Sequence, residues 1–267
     1  MQPNLNNMEP ILKKTYKVLS VEYKLNTSFI EIDITYKCNL KCINCNRSCV
    51  HAPSSEGMSL KQIKKFIQES IKQQRKWKHI NILGGEPTLH PGILEILGLL
   101  IAYKHNYSPD TSLCLTTNGT GRQVNEILSR VPKEIRIYYS KKNQVELAGH
   151  WNFCLAPIDM KIYSHMDFTA GCWIIKECGI GLSRFGFYPC AVAASIDRVF
   201  GFDMGRKSLP PPTDNMHDML NVFCRYCGHF RRIEFWQDRI GHKEKISPAW
   251  EVAYKKYKEK PPKMSLY

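Results

Sequence analysis

"SFIEIDITYKCNLKCINCNRSC", residues 28–49, joins two patterns in one stretch. In its first third Ile30, Ile32 and Ile34 alternate with polar residues, the period of a half-buried β-strand. Three residues past Thr35 the cysteines begin, with Cys38, Cys42, Cys45 and Cys49 in the order C-x3-C-x2-C-x3-C. A loop with that spacing lets the sulfurs of Cys38, Cys42 and Cys45 converge on one centre, and thiolates select zinc or iron–sulfur clusters. Two readings follow. Cys49 completes a closed structural zinc site, or three ligands leave one position open for chemistry, as catalytic metal sites do.

Working outward, the chain alternates strands with helices. Ser59 and Gln62 have the spacing of a capping box, opening a helix expected to run to about Lys76. A strand over residues 79–84 leads into the turn "GEPTLHP", and an apolar helix follows Pro91 to about His105. Then come a strand over 112–117, the turn "NGTG", a helix over 122–130 stopped by Pro132, the strand "EIRIYYS" and a fifth strand in "FCLAPID". This alternation predicts an α/β fold with a parallel sheet and right-handed crossovers. Ligands in such folds bind beyond the carboxyl ends of the strands. Three sequences each follow a strand directly: the cysteine group, Gly84-Gly85-Glu86 and Thr117-Asn118-Gly119. They are expected to share one face. Gly84 and Gly85 permit close backbone approaches, so a ligand can lie against the strand end with Glu86 beside it, while Pro87 ends the strand.

With 267 residues the chain can bury a core without disulfides, so eleven cysteines in clusters argue for metal or catalysis rather than bridges. Cys114 and Cys154 stand alone in apolar runs and read as packing residues. No apolar run is long enough to span a bilayer, and the amino end carries no apolar signal core; the expectation is a cytoplasmic protein with no membrane partner. The net charge of +14 favours an anionic substrate, although much of it sits in "KQIKKFIQESIKQQRKWK", where Leu60, Ile63, Phe66, Ile67 and Ile71 form an apolar stripe and the lysines a solvated face.

From about residue 165 the pattern changes. "CWIIKECGIGLSRFGFYPC" reads as a short β-hairpin flanked by Cys172, Cys178 and Cys190, and Cys224-x2-Cys227 supplies a chelating pair after the loop "RKSLPPPTDN". Helical periodicity is absent until "SPAWEVAYKKYK" in the tail. The expected layout is a lead-in over 1–27, a barrel-like unit over 28–164, a small cysteine-bound unit over 165–245 and a helix and tail over 246–267. A four-thiolate site in the third unit is open to zinc as well as to a cluster.

Cys38, Cys42 and Cys45 in C-x3-C-x2-C, Gly84-Gly85-Glu86-Pro87 and Thr117-Asn118-Gly119 together resemble the radical S-adenosylmethionine (radical SAM) superfamily, over roughly residues 28–160. The resemblance implies a partial (β/α)6-type barrel in which the three cysteines hold a [4Fe–4S] cluster. It also implies that Glu86 and the Gly84-Gly85 backbone bind the SAM amino group, and that Thr117, Asn118 and Gly119 lie near its ribose and adenine. One electron from a reductase such as a flavodoxin or ferredoxin cleaves SAM to a 5′-deoxyadenosyl radical, which abstracts hydrogen from substrate. Members commonly place an aromatic residue or histidine before the third cysteine; this chain has Asn44. Cys49 lies outside the motif, as a packing or substrate-side residue.

The second cysteine group is similar to the twitch domain, the shortened SPASM domain of radical SAM dehydrogenases such as those acting on 2-deoxy-scyllo-inosamine. That likeness implies one auxiliary [4Fe–4S] cluster on Cys172, Cys190, Cys224 and Cys227, with Cys178 surplus or displacing one of the four. Such a cluster suits a two-electron oxidation of substrate. Modification of a peptide or nucleic acid is the competing radical SAM expectation. A zinc-stabilised nucleic-acid-binding protein is the rival from another class; it accounts for the charge and the cysteines but not for the Gly84–Pro87 turn. Arg136, Arg184 and Arg198 are read as surface or structural residues.

Overall fold

The computed structural model describes residues 22–140, 152–230 and 244–267. Most of the expected lead-in and the connection over 141–151 therefore lie outside the described residues. The alternating isoleucines form β1 (Phe29–Thr35), followed by α1 (Leu60–Lys72), β2 (His79–Gly84), α2 (Ile93–Asn106), β3 (Ser112–Thr117), α3 (Arg122–Leu128) and β4 (Arg136–Tyr139). The strands add in parallel outward from β1, with β5 (Ile180–Ser183) parallel on its other side and β6 (Gly186–Tyr188) returning antiparallel. The sheet order is β4-β3-β2-β1-β5-β6. The fold is thus α/β, as the sequence predicts.

Register explains why β1 sits in the middle. Ile180, Ile30, Ile80 and Leu113 line up across four strands, and Leu182, Ile32, Ile82 and Leu115 form the next row. All eight are buried, each worth about 1.5–3 kcal/mol of transfer free energy. The opposite pleat carries Gly181, Glu31, Asn81, Cys114 and Arg136 in one row, so this face is polar. A parallel sheet covered on both sides normally reads as continuously apolar; here the polar face points to a site.

The Ser59–Gln62 capping box forms in full, with Gln62 N donating to Ser59 Oγ and Ser59 N to Gln62 Oε1, worth about 1 kcal/mol. The helix stops at Lys72 rather than near Lys76. Gln74 adopts a left-handed conformation, and Arg75 donates to the carbonyls of Thr27 and Pro210, which pulls the chain off the helix axis.

Three expectations need correction. "FCLAPID" is not a strand: it turns into a 3-10 segment at Pro157–Asp159, and the Phe153 and Cys154 carbonyls accept from Gly228 N and Ser247 N instead of a sheet neighbour. The hairpin of the cysteine-rich segment does form, as β5 and β6, but it extends the same sheet across the expected boundary at residue 164. Three helices also lie where none is expected, α4 (Trp173–Glu177), α5 (Ala191–Phe200) and α6 (His217–Phe223), and α7 (Pro248–Glu259) forms in the tail. Residues 191–199 of α5 are all buried, Ser195, Asp197 and Arg198 included, so its polar residues mark no solvent-facing side. No helix among the described residues is long and apolar enough to cross a membrane.

Candidate cofactor site

The three strand-end sequences meet, as their positions in sequence predict. Gly85 N donates to Thr35 O and Glu86 N to Lys37 O, both at 2.8 Å, tying the turn after β2 to the start of the cysteine loop. Thr117 Oγ1 and Asn118 N each donate to the Glu86 carboxylate at 2.8 Å, and Asn118 Nδ2 donates to Asn39 Oδ1 at 2.8 Å. Between the loops lies a cavity of about 200 Å³. Cys38, Cys42, Cys45 and Cys49 line one side of it, Gly84 and Gly85 a second, and Thr116, Thr117 and Asn118 a third.

Four of these residues also serve the loops themselves. A methyl on Gly84 or Gly85 would overlap the Thr35 or Lys37 backbone, so the close approach these glycines permit is made first by the neighbouring strand end. Glu86 is fully buried, and its oxygens are taken by Thr88, Thr117 and Asn118. Its carboxylate joins two loops and is not part of the cavity wall. Gly119 also lies off the wall; its positive φ closes the turn, and a side chain there would meet the Tyr139 ring.

Burial pushes the Cys38 thiol up to about 11, and the nearby Cys45 and Cys42 push it the same way. Cys45 is held below the ordinary thiol range, because the Cys49 thiol and the backbone N–H groups of Cys49 and Arg47 donate to its sulfur. Cys49 is raised correspondingly. Its thiol therefore supports a neighbouring sulfur from within the loop. Asn44, in place of the aromatic or histidine, has a φ of 55°, a left-handed conformation that asparagine tolerates far better than bulkier residues. Its side chain donates to Asn152 and its N–H to Glu244. Glu244 also pairs with His51 at 2.7 Å, so a residue two hundred positions away holds the cysteine loop.

Arg47 is the residue the sequence reading missed. Its guanidinium reaches back to the polar face of β1, contacting Asp33 at 3.2 Å and Glu31 at 3.1 Å. Burial outweighs this attraction at Asp33 and raises its carboxyl to about 6. Arg198, from α5, donates to the Arg47 and Ala52 carbonyls and to Tyr257, and stacks 4.1 Å from the centre of the Tyr36 ring. Arg198 is structural, as expected, but buried. The placement of Arg47 between two cysteines of the loop was its only local signal; the partners that define its role come from β1.

The second cysteine group is also brought together in part. Cys172 and Cys190 cap the starts of α4 and α5, and Cys224 opens a 3-10 turn that Cys227 ends. All four are buried. Burial raises Cys190 to about 12, with Cys172 adding to the effect, and Cys227 is raised by burial and then by Cys172 and Cys190. Cys178 is more exposed and lies nearer to Glu31 and Arg47. Among the described residues no three Cys, His, Asp or Glu side chains are arranged to hold a single metal ion.

Strand ends of the sheet thus gather thiols around a cavity, and among the described residues its wall holds no imidazole or carboxylate, a donor set suited to soft metals. Residues 32–139 match the family model of the Radical SAM superfamily. The donor set suits an iron–sulfur cluster such as that family's: three thiols line one cavity together with backbone and hydroxyl groups.

Similar curated proteins include the GTP 3′,8-cyclase of Nautilia profundicola, 27% identical over 37% of this chain and 30% of the relative. The probable GTP 3′,8-cyclase of Methanococcus maripaludis is 35% identical over 33% of this chain and 27% of its own length. The chain thus spans less than a third of either relative. Among solved structures, BtrN in complex with AdoMet and 2-DOIA is similar with a TM-score of 0.45 and 14% identity, covering 82% of this chain and 94% of that one. Streptococcus suis SuiB bound to S-adenosylmethionine is similar with a TM-score of 0.33 and 19% identity, covering 55% and 35%.

Proposed function

We propose that the chain is a radical SAM oxidoreductase acting on a small substrate, with a SAM-binding cluster on Cys38, Cys42 and Cys45 and an auxiliary cluster on Cys172, Cys190, Cys224 and Cys227. The observation that carries this reading is the cavity in which the three thiols of one loop face Gly84, Gly85, Thr117 and Asn118. When bound and reduced, a [4Fe–4S] cluster there supplies the electron that cleaves SAM to methionine and a 5′-deoxyadenosyl radical. The chain's own residues bind and exclude. Backbone groups of Gly84 and Gly85 and the side chains of Thr117 and Asn118 offer the polar contacts for the cosubstrate. Glu86 fixes the two loops that carry them, and the packed apolar rows beneath keep water out of the sheet. Burial of four further thiols supports the auxiliary cluster, because buried thiols lose their protons readily only when metal takes up the charge.

Iron and sulfide content after anaerobic reconstitution tests both clusters. The wild type should carry two clusters per chain. Cys42→Ala should lose one together with SAM cleavage, and Cys224→Ala should lose the other while retaining cleavage. Zinc without iron in the wild type, or equal mild effects of the two substitutions, would sink the assignment.

A further inference from the structure

The functional reading gives three thiols of the cysteine loop a task and leaves Cys49 without one. Cys49 belongs to two walls. Inward it lines the 200 Å³ cavity with Cys38, Cys42 and Cys45; outward, with Tyr36, Lys37, Cys38 and the 53–55 turn, it lines an open depression of about 290 Å³. Within the loop its thiol donates to the Cys45 sulfur and reaches the Arg47 carbonyl at 3.8 Å. The turn between the two cysteines fixes that approach. Ser48 N donates to Cys45 O at 2.8 Å, Ser48 has a left-handed φ of 52°, and its hydroxyl shares a 2.9 Å hydrogen bond with Tyr254 of α7. Cys38 is engaged differently, its sulfur accepting from Leu40 N at 3.5 Å and from Asn118 Nδ2 at 4.0 Å. Cys114 and Cys154, by contrast, are buried.

Two thiols in contact, one of them open to the surface, meet the requirements for reversible oxidation to a disulfide. We infer that Cys45 and Cys49 form a modification site: hydrogen peroxide admitted through the depression joins them, and the disulfide withdraws Cys45 from the donor set until a dithiol reduces it. The effect on metal loading rests on the reading that Cys38, Cys42 and Cys45 hold a cluster; formation of the bond does not. The electrons balance without a cofactor. Peroxide takes two electrons from one thiol, giving a sulfenic acid and one water. The second thiol then attacks the sulfenic sulfur, which forms the S–S bond and releases a second water. The sulfurs must close to about 2 Å, and for side chains already in contact across a held turn this asks for rotation of the side chains rather than movement of the backbone. A loaded site is protected, because Cys45 is then bound to metal; the pair acts before the cluster is in place.

The test uses the full metal-free chain, treated with one equivalent of hydrogen peroxide, quenched with catalase and mapped without reduction. Trypsin cuts after Lys41, Arg47 and Lys61, so the bond appears as a link between peptides 42–47 and 48–61 that dithiothreitol removes. Cys45→Ser and Cys49→Ser should each abolish the link, and Cys42→Ser should keep it. Loading is read second, as iron bound on anaerobic reconstitution after peroxide relative to the same chain untreated, in the Cys224→Ala background so that the first site is counted alone. With Cys49 present that ratio should fall about fivefold or more and recover with dithiothreitol; with Cys49→Ser it should stay near one. A chain that forms no link, or a link that survives Cys45→Ser, overturns the proposal. So does a ratio that falls as far in Cys49→Ser, since other thiols would then be the target. A link formed with undiminished loading would instead defeat the reading of Cys45 as a ligand, and the control of loading with it.

Discussion

Replacing Glu86 separates a ligand role from a structural one. Its Oε1 accepts from Thr88 N at 3.2 Å, Thr88 Oγ1 at 2.7 Å and Thr117 Oγ1 at 2.8 Å, and its Oε2 accepts from Asn118 N at 2.8 Å. Hydrogen bonds to a charged group contribute about 1.5–3 kcal/mol each, and a buried donor left without an acceptor costs about 1–3 kcal/mol. Glu86→Ala removes the acceptor from all four, although water admitted to the space recovers part of the loss; the expected destabilisation is about 4 kcal/mol. Glu86→Gln is milder. Its carbonyl can replace Oε1, but its amide then points an N–H at the N–H of Asn118, so one bond and the charge are lost, for about 2 kcal/mol. Urea unfolding of the metal-free chain measures both, with no cofactor present to complicate the comparison. If Glu86→Ala left stability within about 0.5 kcal/mol of wild type while SAM binding collapsed, the carboxylate would be a ligand and the loop-joining argument would be wrong.

Three further outcomes follow from the same contacts. Gly85→Ala should destabilise by about 3 kcal/mol or more and lower iron retention, because a Cβ there collides with the Lys37 backbone rather than with a mobile side chain; a variant that loads iron normally would contradict this. Arg198→Met should cost about 3–5 kcal/mol in urea unfolding, since it strips the Arg47 and Ala52 carbonyls of a buried charged donor, and a loss under 1 kcal/mol would mean that water replaces it. His90 is held neutral: burial lowers its pKa, its Nδ1 accepts from Gly92 N and its Nε2 donates to Met58 O. A histidine with a lowered folded pKa binds fewer protons folded than unfolded, so its contribution is complete above the unfolded value near 6.5 and is lost as pH falls. His90→Gln should flatten the decline in stability between about pH 7 and 5, and an unchanged slope would assign that decline to other groups.

How much could be read from sequence depended on whether a signal was local. The Ser59–Gln62 cap, the alternation of β1 and the strand-then-turn order of three loops each lie within a few residues, and all were legible. "FCLAPID" had the composition of a strand but not its surroundings, because the groups that take its carbonyls arrive from Gly228 and Ser247. In helix α5 the polar residues Ser195, Asp197 and Arg198 are buried with the rest, so what they contact inside the fold is not written in the local pattern. Arg47 carried only its place between two cysteines as a signal; its partners Glu31 and Asp33 come from β1.

By itself, then, the sequence determined the α/β class and the gathering of Cys38, Cys42 and Cys45 with the turns after β2 and β3, because strand direction dictates where strand-end loops gather. Tertiary structure alone decided that Glu86 joins loops, that the β5–β6 hairpin extends the main sheet, and that Arg47 and Arg198 brace the cysteine loop. Those assignments depend on contacts between residues far apart in the chain, and a buried charge takes its role from whichever partners folding brings within reach.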